Sequence, residues 1–138
     1  MRVVLDTNIF LSALLSSRGI PNLIYHAWQD DVFKLVTSKV QLEELRRASR
    51  YPKLKQLIKP AKVGTMINHM QRAIVLQHLV IDQELNDPDD AFLLAMATAG
   101  QADYLVTGDK RAGLLELKHI KRTRIVTPLA FHSEVLNR

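Results

Sequence analysis

The 138-residue chain has no cysteine, which removes both a disulfide framework and any thiolate metal site. It has no apolar run near the roughly 18–20 residues that cross a bilayer, so membrane partners are not expected. The first residues reach Asp6 after a short apolar run, which is no signal-peptide pattern, and a cytoplasmic protein is the expectation. Internal repeats, low-complexity linkers, a phosphate-binding glycine loop and a nucleophile elbow around Ser12, Ser16 or Ser17 are all missing. The five histidines (His26, His69, His78, His119, His132) lack zinc-site spacing and read as surface or structural residues.

One further lack is local. From Leu45 to Ile81 there is no acid, while Arg46, Arg47, Arg50, Lys53, Lys55, Lys59, Lys62 and Arg72 all fall there. A second basic run holds Lys110, Arg111, Lys118, Lys121, Arg122 and Arg124, and the acids crowd instead between Asp82 and Asp90. Net charge is +5 and the pI about 9.7. Two explanations stand: solvated basic helix faces, or a track for phosphates.

What is present suits one globular domain over 1–138, with 47% apolar and 24% charged residues. Apolar runs and turn signals alternate. Strands are expected at Arg2–Leu5, Phe33–Val36, Ile74–Ile81, Tyr104–Thr107 and Arg124–Val126. Helices are expected at Ile9–Leu15, from Pro21 through Trp28, from a Ser38 cap through Leu45, at Val63–Ile74, from Asp89 or Asp90 to Gly100, and from Pro128 onward. Ser38 with Gln41 has the spacing of a capping box. Strand–helix alternation implies an α/β fold in three layers, a mainly parallel sheet with helices on both faces.

In such folds ligands bind beyond the carboxyl ends of the strands. Asp6 directly follows R-V-V-L and Asp109 follows Y-L-V-T-G, so both acids leave a strand at that edge. Thr7 and Asn8 are placed to cap the next helix and to hydrogen-bond the carboxylate. Glu44 falls inside the helix after the second strand, and Asp90 falls at the start of the most apolar helix, where an anion is favoured. Taken singly, Asp90 reads equally as an N-cap, Glu44 as an exposed helix residue and Asp109 as a turn residue. Together, carboxylates repel and invite a hard cation such as Mg²⁺ or Mn²⁺, which prefers oxygen ligands.

The ordered pattern, L-D-T-N-I-F, then E-L, then D-D-A-F-L-L-A, then T-G-D, resembles the PIN-domain nucleases, above all the bacterial and archaeal members that act as toxins in toxin–antitoxin pairs. The resemblance spans nearly the whole chain, through I-V-T-P-L-A-F near its end. It implies a Mg²⁺- or Mn²⁺-dependent endoribonuclease with catalytic, metal-binding acids at Asp6, Glu44, Asp90 and Asp109. Asn8 and Thr107 match supporting polar positions, and Arg46, Arg47, Arg50, Lys110 and Arg111 are the candidates for RNA contact. An antitoxin partner and a homodimer follow from the resemblance alone. The chain departs from the pattern once: many relatives carry a fifth acid where this chain has Arg111. That leaves either Asp87 or Asp89 to complete a second metal site, or Arg111 to contact phosphate. Two other functions stay open on the residues alone, a Mg²⁺ phosphotransfer or phosphatase domain and a non-catalytic RNA- or protein-binding module.

Overall fold

A computed structural model describes residues 1–81, 87–108 and 112–137. The described elements are β1 (Arg2–Leu5), α1 (Thr7–Leu15), α2 (Ile20–Gln29), β2 (Lys34–Ser38), α3 (Lys39–Ser49), α4 (Pro52–Lys55), α5 (Pro60–Met70), β3 (Ile74–Leu76), α6 (Pro88–Ala99), β4 (Tyr104–Val106), α7 (Ala112–Leu117), β5 (His119–Ile120), β6 (Thr123–Val126) and α8 (Pro128–Ala130). The chain continues from α8 as π-helical turns over Phe131–Leu136.

The described strands form one sheet in the order β3-β2-β1-β4-β6-β5. Every pairing is parallel except β5 with β6. The architecture is therefore the expected three-layer α/β fold with a mainly parallel sheet. Alternation along each strand divides the core in two. Val3, Leu5, Leu35 and Val106 face a cluster built with α1, α2, α3 and α5. Val4, Val36, Leu105 and Ile125 face the other way, onto Phe92, Leu93, Met96 and Ala97 of α6 and Leu114 of α7. Phe131 of the terminal turns is fully buried and packs its ring 5.6 Å from those of Phe33 and Tyr104. α6 lies so close to the sheet that a Cβ on Gly100 would come within 2.5 Å of Val36 Cγ1.

Several boundaries differ from expectation, each for a physical reason. α1 starts at Thr7 rather than Ile9, because the Asp6 carboxylate itself caps it. α2 starts at Ile20, after Gly19 takes a φ of 106° that favours glycine. β2 runs on to Ser38, whose hydroxyl then caps α3 by accepting from the Gln41 N–H. Only half of the capping box forms, since the Gln41 side chain goes elsewhere. The helix expected at Val63–Ile74 is α5, entered three residues earlier through Pro60 at its first turn. β3 is shorter than Ile74–Ile81 because its partner stops: Ser38 pairs with Leu76, and beyond Ser38 the neighbouring chain is already helix. α6 begins at Pro88 on an Asp87 cap, not at Asp89 or Asp90. β4 ends at Val106, one residue short of the expected Thr107. α4 falls in the middle stretch punctuated by Pro52 and Pro60 that reads as helical, whereas α7 and β5 were not expected.

Candidate active site

The sheet order reverses at β1. From β1 the chain moves outward to β2 and β3, then returns through α6 to place β4 on the other side. The crevice at the carboxyl ends of β1 and β4 is thus a topological switch point, the place where open α/β sheets bind ligands. Asp6 and Thr107 are the first residues beyond those two strands. The Asp6 N–H still pairs with the Val106 carbonyl at 2.9 Å, and the Thr107 N–H with Val126 at 3.0 Å, so the rim is an extension of the sheet.

Asp6 is buried, at 3% exposure, which is costly for a carboxylate unless its oxygens are satisfied. The Thr107 hydroxyl donates to its Oδ2 at 2.8 Å, and the Asn8 N–H donates to its Oδ1 at 3.2 Å. These contacts fix the carboxylate in rotamer and tilt. Asn8 supports the acid through its backbone, while its side chain stands exposed at the rim. Thr7 does not bond the carboxylate as expected; its Oγ1 instead accepts from Gln41 Nε2 at 3.4 Å.

Gln41 is the residue that sequence reasoning undervalued. Its side chain is fully buried. Nε2 donates to the Leu5 carbonyl at 2.7 Å, and Oε1 accepts from the Thr37 hydroxyl at 2.6 Å. It therefore holds both chain neighbours of Asp6, Leu5 and Thr7, and ties them to the end of β2. The residue type and its place after a strand end were visible; the reach from α3 to β1 was not.

Glu44 follows Gln41 by one helical turn on α3 and is half-buried. α6 carries the next acids. Its far end lies at the amino edge of the sheet, where Arg2 Nη1 donates to the Gly100 carbonyl at 3.2 Å. Its start, with Asp87, Asp89 and Asp90, therefore points back toward the carboxyl edge. Asp87 does the capping, its Oδ1 accepting from the N–H groups of Asp89 at 2.9 Å and Asp90 at 3.4 Å. Asp90 is then no N-cap; it sits in the first turn, half-buried, where the helix dipole favours its charge. Asp109, Lys110 and Arg111 lie outside the described residues, so the structure neither brings Asp109 to Asp6 nor parts them. Among the described residues no group of three or more His, Asp or Glu side chains is assembled as a metal site.

A family profile described as the PIN domain matches residues 2–111. The chain belongs to the PIN-domain family. PIN domains are generally nucleases, hydrolases that act on nucleic acids, and typically use divalent metal ions. This PIN domain is also similar to an uncharacterized protein of Methanocaldococcus jannaschii, 27% identical over 144 residues, covering 97% of this chain and 91% of that one. No solved structure matches the chain.

The donors of this PIN domain suit a hard divalent cation. Asp6 presents two carboxylate oxygens, the kind of ligand that such a cation prefers. Glu44 and Asp90 are oxygen donors on elements that flank the same rim. The basic residues Arg46 and Arg47 follow on the exposed face of α3, and Arg50, also exposed, is its C-cap. No described helix is long and apolar enough to cross a membrane.

Proposed function

We propose that this PIN domain, acting as one unit over 1–138, is a Mg²⁺- or Mn²⁺-dependent endoribonuclease, the toxin of a toxin–antitoxin pair, working in the cytoplasm as a homodimer. The observation that carries the catalytic part is the buried Asp6 at the switch crevice, hydrogen-bonded to Thr107 across the β1–β4 boundary. A carboxylate placed there by a strand end and oriented by a hydroxyl and a backbone N–H is a preset oxygen donor, and oxygen donors are what a hard cation prefers.

In this reading Asp6 is the central ligand, with Asp90 and Asp109 beside it. Glu44 is a further ligand or orients the attacking water. The bound cation supplies an activated water and offsets charge on the phosphodiester oxygens. Thr107 and Asn8 hold Asp6 in place, and Arg46, Arg47, Arg50, Lys110 and Arg111 hold the strand by its phosphates. Arg111, standing where relatives carry an acid, turns from metal binding to phosphate binding.

The test is direct. The protein is incubated with a structured RNA, and in parallel with DNA, in Mn²⁺ and in EDTA. Mn²⁺-dependent internal cleavage of RNA is the expected result. RNA bound but left intact in Mn²⁺ would make the chain a binding module, and cleavage that survives EDTA would remove the metal from the proposal.

A further inference from the structure

Between α3, α4 and α5 lies a cavity of about 370 Å³, a size typical of small-molecule sites. Its floor is aliphatic, made by the buried side chains of Ile58, Val63 and Ile67. Its rim is cationic, with Arg46 and Arg50 one turn apart on α3 and Lys55 at the end of α4. None of these three cations forms an ion pair with a described residue. Gly64 of α5 also lines the cavity, and a Cβ added there meets no atom within 4 Å.

We infer that this cleft is a nucleotide subsite, which takes one unstacked base of a single-stranded RNA while the cationic rim holds the adjoining phosphates. The inference rests on the nuclease reading above and extends it to how the substrate is held. Charge complementarity asks for an anionic occupant with an apolar part. An acidic amphipathic peptide meets that description locally, but the charge extends well beyond the cleft. The whole stretch from Leu45 to Ile81 lacks acids and adds Arg47, Lys53, Lys59 and Lys62 to the rim residues. A long track of one sign fits a polyanion, whose phosphates repeat. Guanidinium planes at the mouth of an apolar slot are a common seat for a splayed RNA base. Position agrees as well. Arg50 is six residues beyond Glu44 on α3, about 9 Å along the axis at 1.5 Å per residue. A strand passing the acidic rim is therefore within reach of the cleft.

Gly64→Leu fills the cleft without touching a charge, and leucine for glycine in a helix favours folding. Fluorescence anisotropy in EDTA compares wild type, Gly64→Leu and the Arg46→Gln/Arg50→Gln variant. The probes are a short oligoadenylate and a strand of equal length without bases. Wild type should prefer oligoadenylate by about tenfold, within the range for one base contact. Gly64→Leu should bind the two strands alike and keep the wild-type salt slope. The double variant should weaken both and flatten the slope by about 0.7 for each lost phosphate contact. A Gly64→Leu protein that keeps the tenfold preference overturns the base assignment. So does one that binds both RNAs as wild type does but loses an acidic amphipathic peptide that wild type binds. Either result alongside intact Mn²⁺-dependent cleavage leaves the nuclease reading standing, whereas wild type that neither binds nor cuts RNA removes both.

Discussion

The two edges of the sheet handle charge in opposite ways. At the amino edge Asp103 is matched from within: its Oδ2 accepts from the Arg2 N–H at 2.8 Å, and its Oδ1 pairs with Arg122 at 2.7 Å. Nearby, the Thr123 hydroxyl closes onto the Ala102 carbonyl at 2.7 Å. At the carboxyl edge the described donors to Asp6 are neutral, a hydroxyl and a backbone N–H. They orient the carboxylate without cancelling its charge. One edge completes its electrostatics inside the fold and serves stability. The other orients a buried carboxylate at the switch crevice, where open α/β sheets bind ligands.

The sharpest way to break that contrast is Asp6→Asn. The amide keeps the shape and the Thr107 contact but is a poor ligand for a hard cation. RNA cleavage should fall by more than about a hundredfold, beyond the usual cost of losing a supporting contact. Circular dichroism should be unchanged. Near-wild-type cleavage with an unchanged spectrum would move the catalytic centre away from Asp6.

Gln41→Leu asks whether the carboxyl edge is also structurally fixed. It strands the buried Thr37 hydroxyl and the Leu5 carbonyl. An unsatisfied buried group costs about 1–3 kcal/mol, so urea denaturation should show a loss of about 2–4 kcal/mol. Adding Thr37→Val removes one stranded group and should recover part of it. A single variant as stable as wild type would mean that other groups hold the end of β1.

Much of this was legible in the sequence. Arg2–Leu5 and Tyr104–Val106 announce themselves as apolar runs ending at polar residues, and Pro88–Ala99, just before the second of them, as a core helix by its composition. Asp6 at a strand end was therefore placed by local pattern alone. The switch point was not, because strand order is set by pairings between distant segments. The Gln41 clamp escaped for the same reason: the motif around Ser38 describes a helix start, while the side chain bonds Leu5, 36 residues away in sequence. The β5–β6 hairpin escaped through its turn, where Lys121 takes a φ of 50° that sequence rules reserve for glycine or asparagine. Pro60, by contrast, was a usable start signal for α5 that the apolar spacing from Val63 overshadowed.

Asp90→Asn tests whether α6 contributes to the same charge as Asp6. A ligand held by the native state at a hundred times its Kd raises stability by about 2.7 kcal/mol. Wild type in Mn²⁺ should therefore melt well above wild type in EDTA, and most of that rise should vanish in the variant. Equal rises in both proteins would remove Asp90 from the site and direct attention to Asp87 or Asp89.

The smallest effect belongs to the amino edge, at Asp103. The Arg2 N–H first, and then Arg122, holds its carboxyl below the ordinary value of 3.8, against an opposing push from burial. A carboxyl whose value is lower in the folded than in the unfolded chain stabilises the fold fully above the unfolded value. That contribution fades as pH falls through the folded value. Asp103→Asn should thus cost less than about 1 kcal/mol near neutral pH, as partly exposed ion pairs do. The gap between wild type and variant should be level from pH 7 down to about pH 5 and close below 3.8. Mn²⁺-dependent RNA cleavage by the variant should match wild type, because this edge faces away from the switch crevice. A stability gap that ignores pH would show that the residue acts through shape alone. A loss of cleavage would show that the two edges are coupled through β4, and that the division between a stabilising and a catalytic edge does not hold.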